Sequence, residues 1–370
     1  MGLVLSGGGA RAAYQVGVLR AIAERAPNLD IPIITGVSAG AINTVYLAGH
    51  RGSLPDAVAG LTDAWGRLTS EKIYGMHVMV LARAVARWIE QIALGRGNGR
   101  PRVLGMLDAR PLRAFLAESI DFSGIDSNIE AGRLRAASLD ATAYASGVTI
   151  TFVHGIPGIP AWERAQRAAV RSRLTLDHVM ASSAIPLAFP AVKLDGAFYC
   201  DGSVRQHYPL APAIHLGARR ILAIGSGSIP PHVEAPSHSV KYPSAAAAMG
   251  LLLNSVFLDA LSVDAERLVR INRLIATLPA RALPPDGLRA IELLMLRPSR
   301  DLGAIAVESS EPLPRTIGLL LRGLGGRREE SAEFLSYLLF EPWYTARLIE
   351  LGYSDTRAQW SAIERFLSIS

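Results

Sequence analysis

The stretch that decides the fold is MGLVLSGGGARAAYQVGVL, residues 1–19. The apolar run Leu3–Leu5 predicts a strand, and a helical pattern of small and apolar residues begins shortly after Gly7, Gly8 and Gly9. Several free backbone N–H groups and the positive end of a helix would then meet at one point. The stretch therefore predicts an anion site, for a nucleotide pyrophosphate, a phosphate headgroup or the oxyanion of an ester under attack.

A second stretch, IPIITGVSAGAINTVYLAG (residues 31–49), predicts a strand, a sharp turn and a helix. The turn fits the pattern G-x-S-x-G of a nucleophile elbow, with Ser38 at its tip. Gly36 and Gly40 would be required there because strand and helix cross closely on both sides of the serine. The helix N-terminus would also favour negative charge beside the hydroxyl. We therefore predict that Ser38 is a nucleophile.

The glycine loop and the elbow would lie at the same edge of a parallel sheet, which favours the oxyanion over the other anions. The run 7–12 also fits the dinucleotide pattern G-x-G-x-x-G/A, with Asp30 about twenty residues further on. However, Asp30 precedes the second strand, whereas a ribose-binding acid belongs at its end. A Walker A loop is excluded because no Lys-Ser/Thr pair follows the glycines.

The rest of the chain alternates strand-like and helical runs, which predicts an α/β fold with a mostly parallel sheet. We expect a catalytic domain over 1–228 with a helical insertion at about 54–120, a Pro-rich linker over 229–243, and a helical C-terminal region over 244–370 packed on the core. Further strands are predicted at Val148–His154, Ala197–Cys200 and Arg220–Ile224.

Two helical segments raise the question of a membrane surface. Val78–Leu94 carries two arginines one turn apart and a tryptophan, which fits either an interfacial helix or a cap helix packed on the core. The apolar tract Ala245–Leu261 is interrupted by polar residues and is too short for a clean membrane span, but it could lie on a membrane. Further helices are predicted at Glu329–Phe340 and at Trp343–Leu351, the latter with Gly352 as its C-cap.

Composition narrows the function classes. The 370 residues are half hydrophobic and carry a net charge of +6, which suits a globular protein attracted to phosphates or anionic bilayers. Dispersed arginines and the lack of a recognised motif argue against nucleic acid. No clustered ligand set points to a metal or cofactor. A single cysteine, Cys200, and no visible signal peptide predict a cytoplasmic or peripherally membrane-associated protein.

A nucleophilic serine needs a base, and the stretch GAFYCDGSVRQHYPLAPAI (residues 196–214) offers two candidates. Asp201 ends a strand-like run inside an Asp-Gly turn, and His207 follows six residues later. An ordinary hairpin turn explains an isolated Asp-Gly equally well. From these residues alone, a Ser–Asp dyad and a Ser–Asp–His triad stay open.

Four motifs together resemble the patatin-like phospholipases in order and rough spacing, over about residues 1–225. They are GGGARAAYQVGVL, GVSAG, ASSAIPLAFPAV (Ala181–Val192) and DGS (Asp201–Ser203). The stretch SYLLFEPWYTARLIELGYSDTRA (Ser336–Ala358) is also similar to the tail of some bacterial members. From the sequence, Ala181–Val192 fits either a border of the acyl pocket or a core strand.

The resemblance implies a three-layer α/β/α fold and a serine acyl hydrolase that cleaves phospholipid, lysophospholipid or other fatty acyl esters. It implies Ser38 as nucleophile and Asp201 as base, without a histidine. It assigns the oxyanion site to Gly7, Gly8, Gly9 and Arg11. Because an ordinary aspartate is a weak base, burial must raise the pKa of Asp201.

Two residues depart from the family pattern. Ala12 stands where the family usually has Gly, and it fits close helix packing only with a negative φ. Ser203 stands where Gly or Ala is usual, and its hydroxyl would lower the basicity of Asp201. These departures keep a non-catalytic lipid- or nucleotide-binding protein open as an alternative.

Overall fold

The computed structural model describes residues 1–74, 107–228, 242–279 and 288–368. Its centre is a ten-stranded sheet in the order β10-β9-β1-β2-β3-β4-β6-β5, with β8 joined to β3 and β7 to β8. The five strands from β10 to β3 run parallel, as the alternation of elements predicts. The strands are β1 Gly2–Leu5, β2 Ile33–Val37, β3 Ala136–Ala143, β4 Thr149–Gly155, β5 Glu163–Arg164, β6 Arg167–Arg171, β7 Val192–Leu194, β8 Ala197–Asp201, β9 Arg220–Ile224 and β10 Glu292–Leu296.

Helices cover both faces of this sheet. They are α1 Ala13–Arg25, α2 Ala39–Gly49, α3 Leu54–Gly66, α4 Ser70–Ile73, α5 Arg110–Ser119, α6 Ser123–Glu130, α7 Leu176–Ser182, α8 Ala211–His215, α9 Ala245–Phe257, α10 Asp259–Ala276, α11 Leu302–Glu308, α12 Arg315–Gly323, α13 Ala332–Leu338, α14 Pro342–Ala358 and α15 Trp360–Ser368. Short 3-10 turns at Gly9–Ala12 and Gly202–Val204 follow β1 and β8.

Alternation along the strands builds two hydrophobic layers. In β1, Leu3 and Leu5 point into the larger core with α1, α2, α3 and α14, while Val4 points into a second core with α8 and α10. This period of two is the pattern of a strand buried on both faces. The result is the predicted three-layer α/β/α arrangement, with the ends of β1 and β2 at one edge.

The C-terminal region departs from the prediction of helices alone. Residues Glu292–Leu296 form β10, which extends the sheet by pairing in parallel with β9. The run is ELLML, and leucine and methionine are strong helix formers. Pairing with β9 at the edge of the sheet, together with packing of apolar side chains on both faces of the strand, overrides this local propensity. The C-terminal region is therefore part of the central sheet.

Gly352 is also placed differently from the prediction. It lies inside α14, and a side chain there would collide with the backbone carbonyl of Tyr14 in α1. The glycine thus permits close contact between two helices instead of ending one of them. The segments Val78–Leu94 and 229–241, the latter most of the predicted linker, lie outside the described residues.

Candidate active site

Ser38 lies at the tip of the turn between β2 and α2, in the predicted strand–turn–helix context. Its backbone is strained, with φ 55° and ψ −128°. A Cβ on Gly40 would collide with the carbonyl of Leu5 and lie 2.5 Å from that of Ser6, and a Cβ on Gly36 would lie 2.5 Å from the carbonyl of Gly40. Both glycines are therefore required by the crossing of strand and helix.

Two serines from the Ala181–Val192 motif fasten this turn. The N–H of Ser38 donates to Oγ of Ser182 at 3.1 Å, and Ser182 Oγ in turn donates to the carbonyl of Asp140 at 2.7 Å. Ser183 Oγ donates to the carbonyl of Ser38 at 3.1 Å. The motif comprises the end of α7 and an irregular turn that reaches β7 only at Val192, so the core-strand interpretation is wrong.

Asp201 ends β8, opposite Ala141 of β3, and is completely buried. Its Oδ1 accepts the N–H of Ser203 at 2.9 Å. Its Oδ2 accepts no hydrogen bond from any described residue. Burial raises the pKa of Asp201 to about 7, although the hydroxyl of Ser38 and the N–H and hydroxyl of Ser203 each lower it. A carboxylate with a free buried oxygen and a pKa near neutrality is suited to accept a proton.

The glycine loop presents free N–H groups beside Ser38. Within the part of the chain that the structure describes, nothing accepts a hydrogen bond from the N–H of Gly7, Gly8 or Gly9. The carbonyl of Gly7 accepts from Ser226 Oγ, and that of Gly8 accepts from the N–H of Arg11 at 3.2 Å. Across a trans peptide, the carbonyl of one residue and the N–H of the next point in opposite directions. The two bonds therefore turn the N–H groups of Gly8 and Gly9 away from Ser226 and Arg11.

Gly7 is the point where the loop meets the other site elements. A Cβ added there would lie 2.7 Å from Ser203 Oγ, 2.9 Å from Cδ1 of Phe257 and 3.1 Å from Cβ of Ser38. The glycine loop, the elbow and the turn after Asp201 therefore converge on one place. Only 2% of Ser38 is exposed, so this place is closed to bulk water.

Arg11 is placed differently from the prediction that it contributes to the oxyanion site. Its Nε donates to Ser336 Oγ at 2.7 Å, and its guanidinium pairs with the carboxylate of Glu333 and lies 4.2 Å from the ring centre of Tyr337. Its N–H is used by Gly8. Arg11 is buried in this cluster on α13, where its Nε and Nη2 donate to Ser336 and Glu333, so it anchors the loop to that helix.

The C-terminal helix α13 also touches the loop directly. Gly9 has φ +57°, and a side chain on it would collide with the backbone carbonyl of Tyr337. The departure at Ala12 is accommodated, since its φ is −65° and its side chain is buried. A residue without a Cβ is needed at Gly9 and not at Ala12.

His207 is not joined to Ser38 or Asp201 in the described part of the chain. It is exposed at a cavity of about 230 Å³ lined also by Asp140, Thr151 and Tyr208. No hydrogen bond among the described residues joins it to Ser38 or to Asp201. The structure therefore does not assemble the Ser–Asp–His alternative.

An apolar cavity of about 180 Å³ lies next to the elbow. Its lining includes Ser183, which holds the carbonyl of Ser38. The apolar part of the lining comes from α5, α7 and the turn before β7, with Leu112, Met180, Ala184, Phe189 and Val192. The charged residues Asp108, Arg110 and Arg113 complete it at the start of α5. This placement fits the prediction that the Ala181–Val192 motif borders a pocket.

Sequence reasoning missed Ser182, Ser226, Glu333 and Tyr337. Ser182 stands in a motif that had been assigned to the pocket, and Ser226 follows β9 in the run GSGS. Glu333 carries no motif, Tyr337 stands in the stretch Ser336–Ala358 to which no site role was assigned, and both lie more than 300 residues from the loop that they support. The available signal was indirect, because an arginine inside a buried glycine loop requires a partner.

Comparisons with solved structures give similarities at low sequence identity. VipD from Legionella pneumophila is 12% identical, with a TM-score of 0.35, covering 98% of this chain and 66% of that chain. Human GIVD cytosolic phospholipase A2, solved in complex with methyl gamma-linolenyl fluorophosphonate, is 17% identical, with a TM-score of 0.45. The match covers 99% of this chain and 58% of that chain. The chain thus spans less than two thirds of the length of these structures. No match was found among curated proteins.

The decisive comparison is with a family model. The model described as patatin-like phospholipase matches residues 3–214, which is more than half of the chain. These residues contain the glycine loop, the elbow, the Ala181–Val192 motif and Asp201. The chain therefore belongs to the patatin-like phospholipase family.

Proposed function

We propose that the protein is a serine acyl hydrolase that cleaves fatty acyl esters of phospholipids or lysophospholipids through an acyl-enzyme on Ser38. The observation that carries the proposal is the convergence of the strained Ser38 and the buried Asp201 on free amides of the glycine loop. Family membership supports the lipid class of the substrate. We further propose a cytoplasmic or peripherally membrane-associated location.

In the first step, Oγ of Ser38 attacks the ester carbonyl carbon while Oδ2 of Asp201 takes the hydroxyl proton. The N–H groups of Gly8 and Gly9 stabilise the oxyanion of the tetrahedral intermediate. One such donor contributes on the order of 10² to 10³ in rate. Asp201 then returns the proton to the departing alcohol, which leaves the acyl group on Ser38.

In the second step, water takes the place of the alcohol. Asp201 accepts a proton from the water as it attacks the acyl-enzyme carbonyl, the same amides hold the oxyanion, and the proton passes to Ser38 as the fatty acid leaves. A single carboxylate therefore serves as base and acid in both half-reactions. Its pKa of about 7 suits this exchange, because both protonation states are accessible near neutral pH.

The acyl chain is proposed to occupy the apolar cavity beside Ser183. The cavity is lined by Met180, Ala184 and Phe189 and adjoins the residue that fixes the carbonyl of Ser38. An apolar cavity of limited volume favours chains that fill it and penalises longer ones. The proposal therefore predicts an optimum of chain length.

The test is hydrolysis of p-nitrophenyl esters of graded chain length by wild type and three variants. Ser38→Ala and Asp201→Asn are expected to lose at least about 10³-fold in kcat. His207→Ala is expected to keep wild-type turnover, since no hydrogen bond among the described residues joins His207 to Ser38 or Asp201. A large loss in His207→Ala would favour a triad instead.

Labelling with a fluorophosphonate probe separates catalysis from binding. The wild type is expected to be labelled at Ser38, and Ser38→Ala to remain unlabelled. A wild type that neither hydrolyses any ester or vesicle lipid nor reacts with the probe would contradict the enzyme and leave the non-catalytic binding protein.

A further inference from the structure

Helix α9 has an outer face that is unusually apolar for a surface helix. Leu251 is 71% exposed and Leu252 is 60% exposed, and Ala248 and Ser255 lie on the same side at helical spacing. Tyr242, just before the helix, is almost fully exposed. Adjacent large apolar side chains in water mark an interaction site more often than solitary ones do.

The inner face of α9 forms one wall of the candidate active site. Phe257 packs against Gly7, the residue that also meets Ser38. Asn254 accepts a hydrogen bond from Tyr337 at 2.8 Å, and a Cβ on Gly250 would lie 2.9 Å from Cβ of Glu333. The same helix therefore faces solvent with its leucines and the glycine loop with Phe257.

Helix α10 continues directly from α9 and adds positive charge. Its exposed positions include Val263, Arg267, Arg270 and Leu274, which follow one another along the outer side. Three exposed arginines on this helix outnumber its two exposed acids, and the whole chain carries +6. An apolar stripe followed by a basic one is complementary to an anionic lipid surface.

By length and composition, Ala245–Ala276 could cross a membrane, with 22% of its most apolar window buried. Two contacts argue for docking instead of insertion. Leu261, Ala265 and Leu268 of α10 are buried in the second core. Asp264 accepts the N–H of Leu210 at 3.0 Å. A helix held against the sheet in this way presents only its outer side.

We propose that the outer face of α9 and α10 docks on the surface of an anionic phospholipid bilayer. We define this docking surface as Leu251, Leu252, Val263, Arg270 and Leu274. The lipid identity of the partner rests on the proposed function, while the surface itself rests on exposure and charge. Docking would bring the lipid beside the helix whose other side contacts Gly7 of the glycine loop.

The first experiment measures partition of the full chain onto vesicles of phosphatidylcholine with and without phosphatidylglycerol. We expect binding that increases with the anionic lipid and weakens as salt is raised. The double variant Leu251→Ser/Leu252→Ser is expected to partition at least about tenfold more weakly, because two large apolar side chains no longer enter the interface. Its melting temperature should stay close to wild type, since both leucines are exposed.

A matched control removes two exposed apolar residues elsewhere. Val170 in β6 is 46% exposed and Leu319 in α12 is 37% exposed. Val170→Ser/Leu319→Ser is expected to partition like wild type. Likewise, Arg270→Gln should reduce the preference for anionic vesicles, and Arg322→Gln, on α12, should not.

The outcomes distinguish the docking surface from the proposed function. Hydrolysis of a soluble ester without vesicle binding, or a leucine double variant that binds like wild type, would overturn the docking surface and leave the hydrolase intact. Vesicle binding by a chain that hydrolyses no ester would support the surface and contradict the hydrolase. A dimer in light scattering that the leucine substitutions dissociate would reassign the face to a second copy of the chain.

Discussion

The elbow and the glycine loop lie side by side but are held by different parts of the chain. The elbow is fixed by Leu5, Ser182 and Ser183, all within the residues that the family model matches. The glycine loop is fixed largely by residues beyond that match, namely Ser226, Phe257, Glu333, Ser336 and Tyr337.

This difference shows that the family motifs do not contain the whole site. Ser38 is supported by residues within the family match, whereas the glycine-loop amides depend on contacts from helices α9 and α13. A fragment ending near residue 228 would retain Ser38 and Asp201 but would lose the contacts of Arg11 and Gly9. The C-terminal region is thus structurally part of the candidate site, and the two supports can be broken separately.

The largest effect is expected from breaking the elbow with Gly40→Ala. The added Cβ would collide with the backbone carbonyl of Leu5, which the sheet cannot easily move. Overpacking of this kind costs about 1 to 3 kcal/mol, and the shift at Ser38 should abolish most ester hydrolysis. Thermal unfolding and kcat measure the two effects.

Gly318→Ala is the matched control for that substitution. Gly318 lies within α12, and a Cβ there meets nothing within 4 Å. Replacing glycine by alanine in a helix interior should raise stability slightly, by up to about 1 kcal/mol, with no change in activity. Equal damage from both alanines would mean that the elbow is not specially constrained.

The second-largest loss of activity is expected when the support of the glycine loop at Arg11 and Glu333 is removed. Arg11→Met keeps the length of the side chain but removes the bonds to Ser336 and Glu333. The loop amides should then lose their fixed direction, and kcat should fall by roughly 10- to 100-fold while KM changes less. Glu333→Gln should cause a smaller loss, because the amide still offers an acceptor.

The control for this pair is the exposed ion pair of Arg67 and Asp63 on α3. Asp63→Asn should leave activity and stability unchanged, as expected for a surface pair. If Arg11→Met retained full kcat with a lowered melting temperature, α13 would stabilise the fold without positioning the amides.

The same comparison explains how much could be predicted from the sequence. The elbow is encoded locally, because an apolar run, two glycines and a serine specify strand, turn and helix within ten residues. The strand β1 and the start of α1 were predicted for the same reason. The supports of the glycine loop could not be predicted, since Tyr337 and Glu333 approach it only after the sheet and α9 have formed.

Two errors have the same origin. The run Glu292–Leu296 was expected to be helical, and only its pairing with β9 makes it a strand. Gly352 resembled a helix end because glycine commonly ends helices, yet its role is contact with α1. Arg11 also meets a partner far along the chain, Glu333, which no local pattern indicated, and its oxyanion role stays a prediction.

The third prediction concerns pH and uses Asp201, which lies within the residues that the family model matches. Asp201 acts as a base only when deprotonated, and burial raises its pKa to about 7. The value of kcat/KM for a soluble ester should therefore fall as pH drops through about 7 and level off above it. A fall of kcat/KM centred near pH 4 would show that Asp201 is not desolvated. The pH profile of His207→Ala serves as the control.

The smallest effect is expected from Ser203→Ala. The hydroxyl of Ser203 lowers the pKa of Asp201, and the substitution retains the N–H that donates to Oδ1. Its removal should therefore shift the acidic limb of kcat/KM to higher pH, reducing activity at pH 6 and leaving the plateau near pH 9 unchanged. Because Ser203 Oγ lies near the carboxylate of Asp201 but forms no well-aligned hydrogen bond with any described residue, the variant should fold as well as wild type. A loss on the plateau itself would instead mean that the hydroxyl acts on the substrate, beside Gly7, and would join the turn after Asp201 to the oxyanion side of the site.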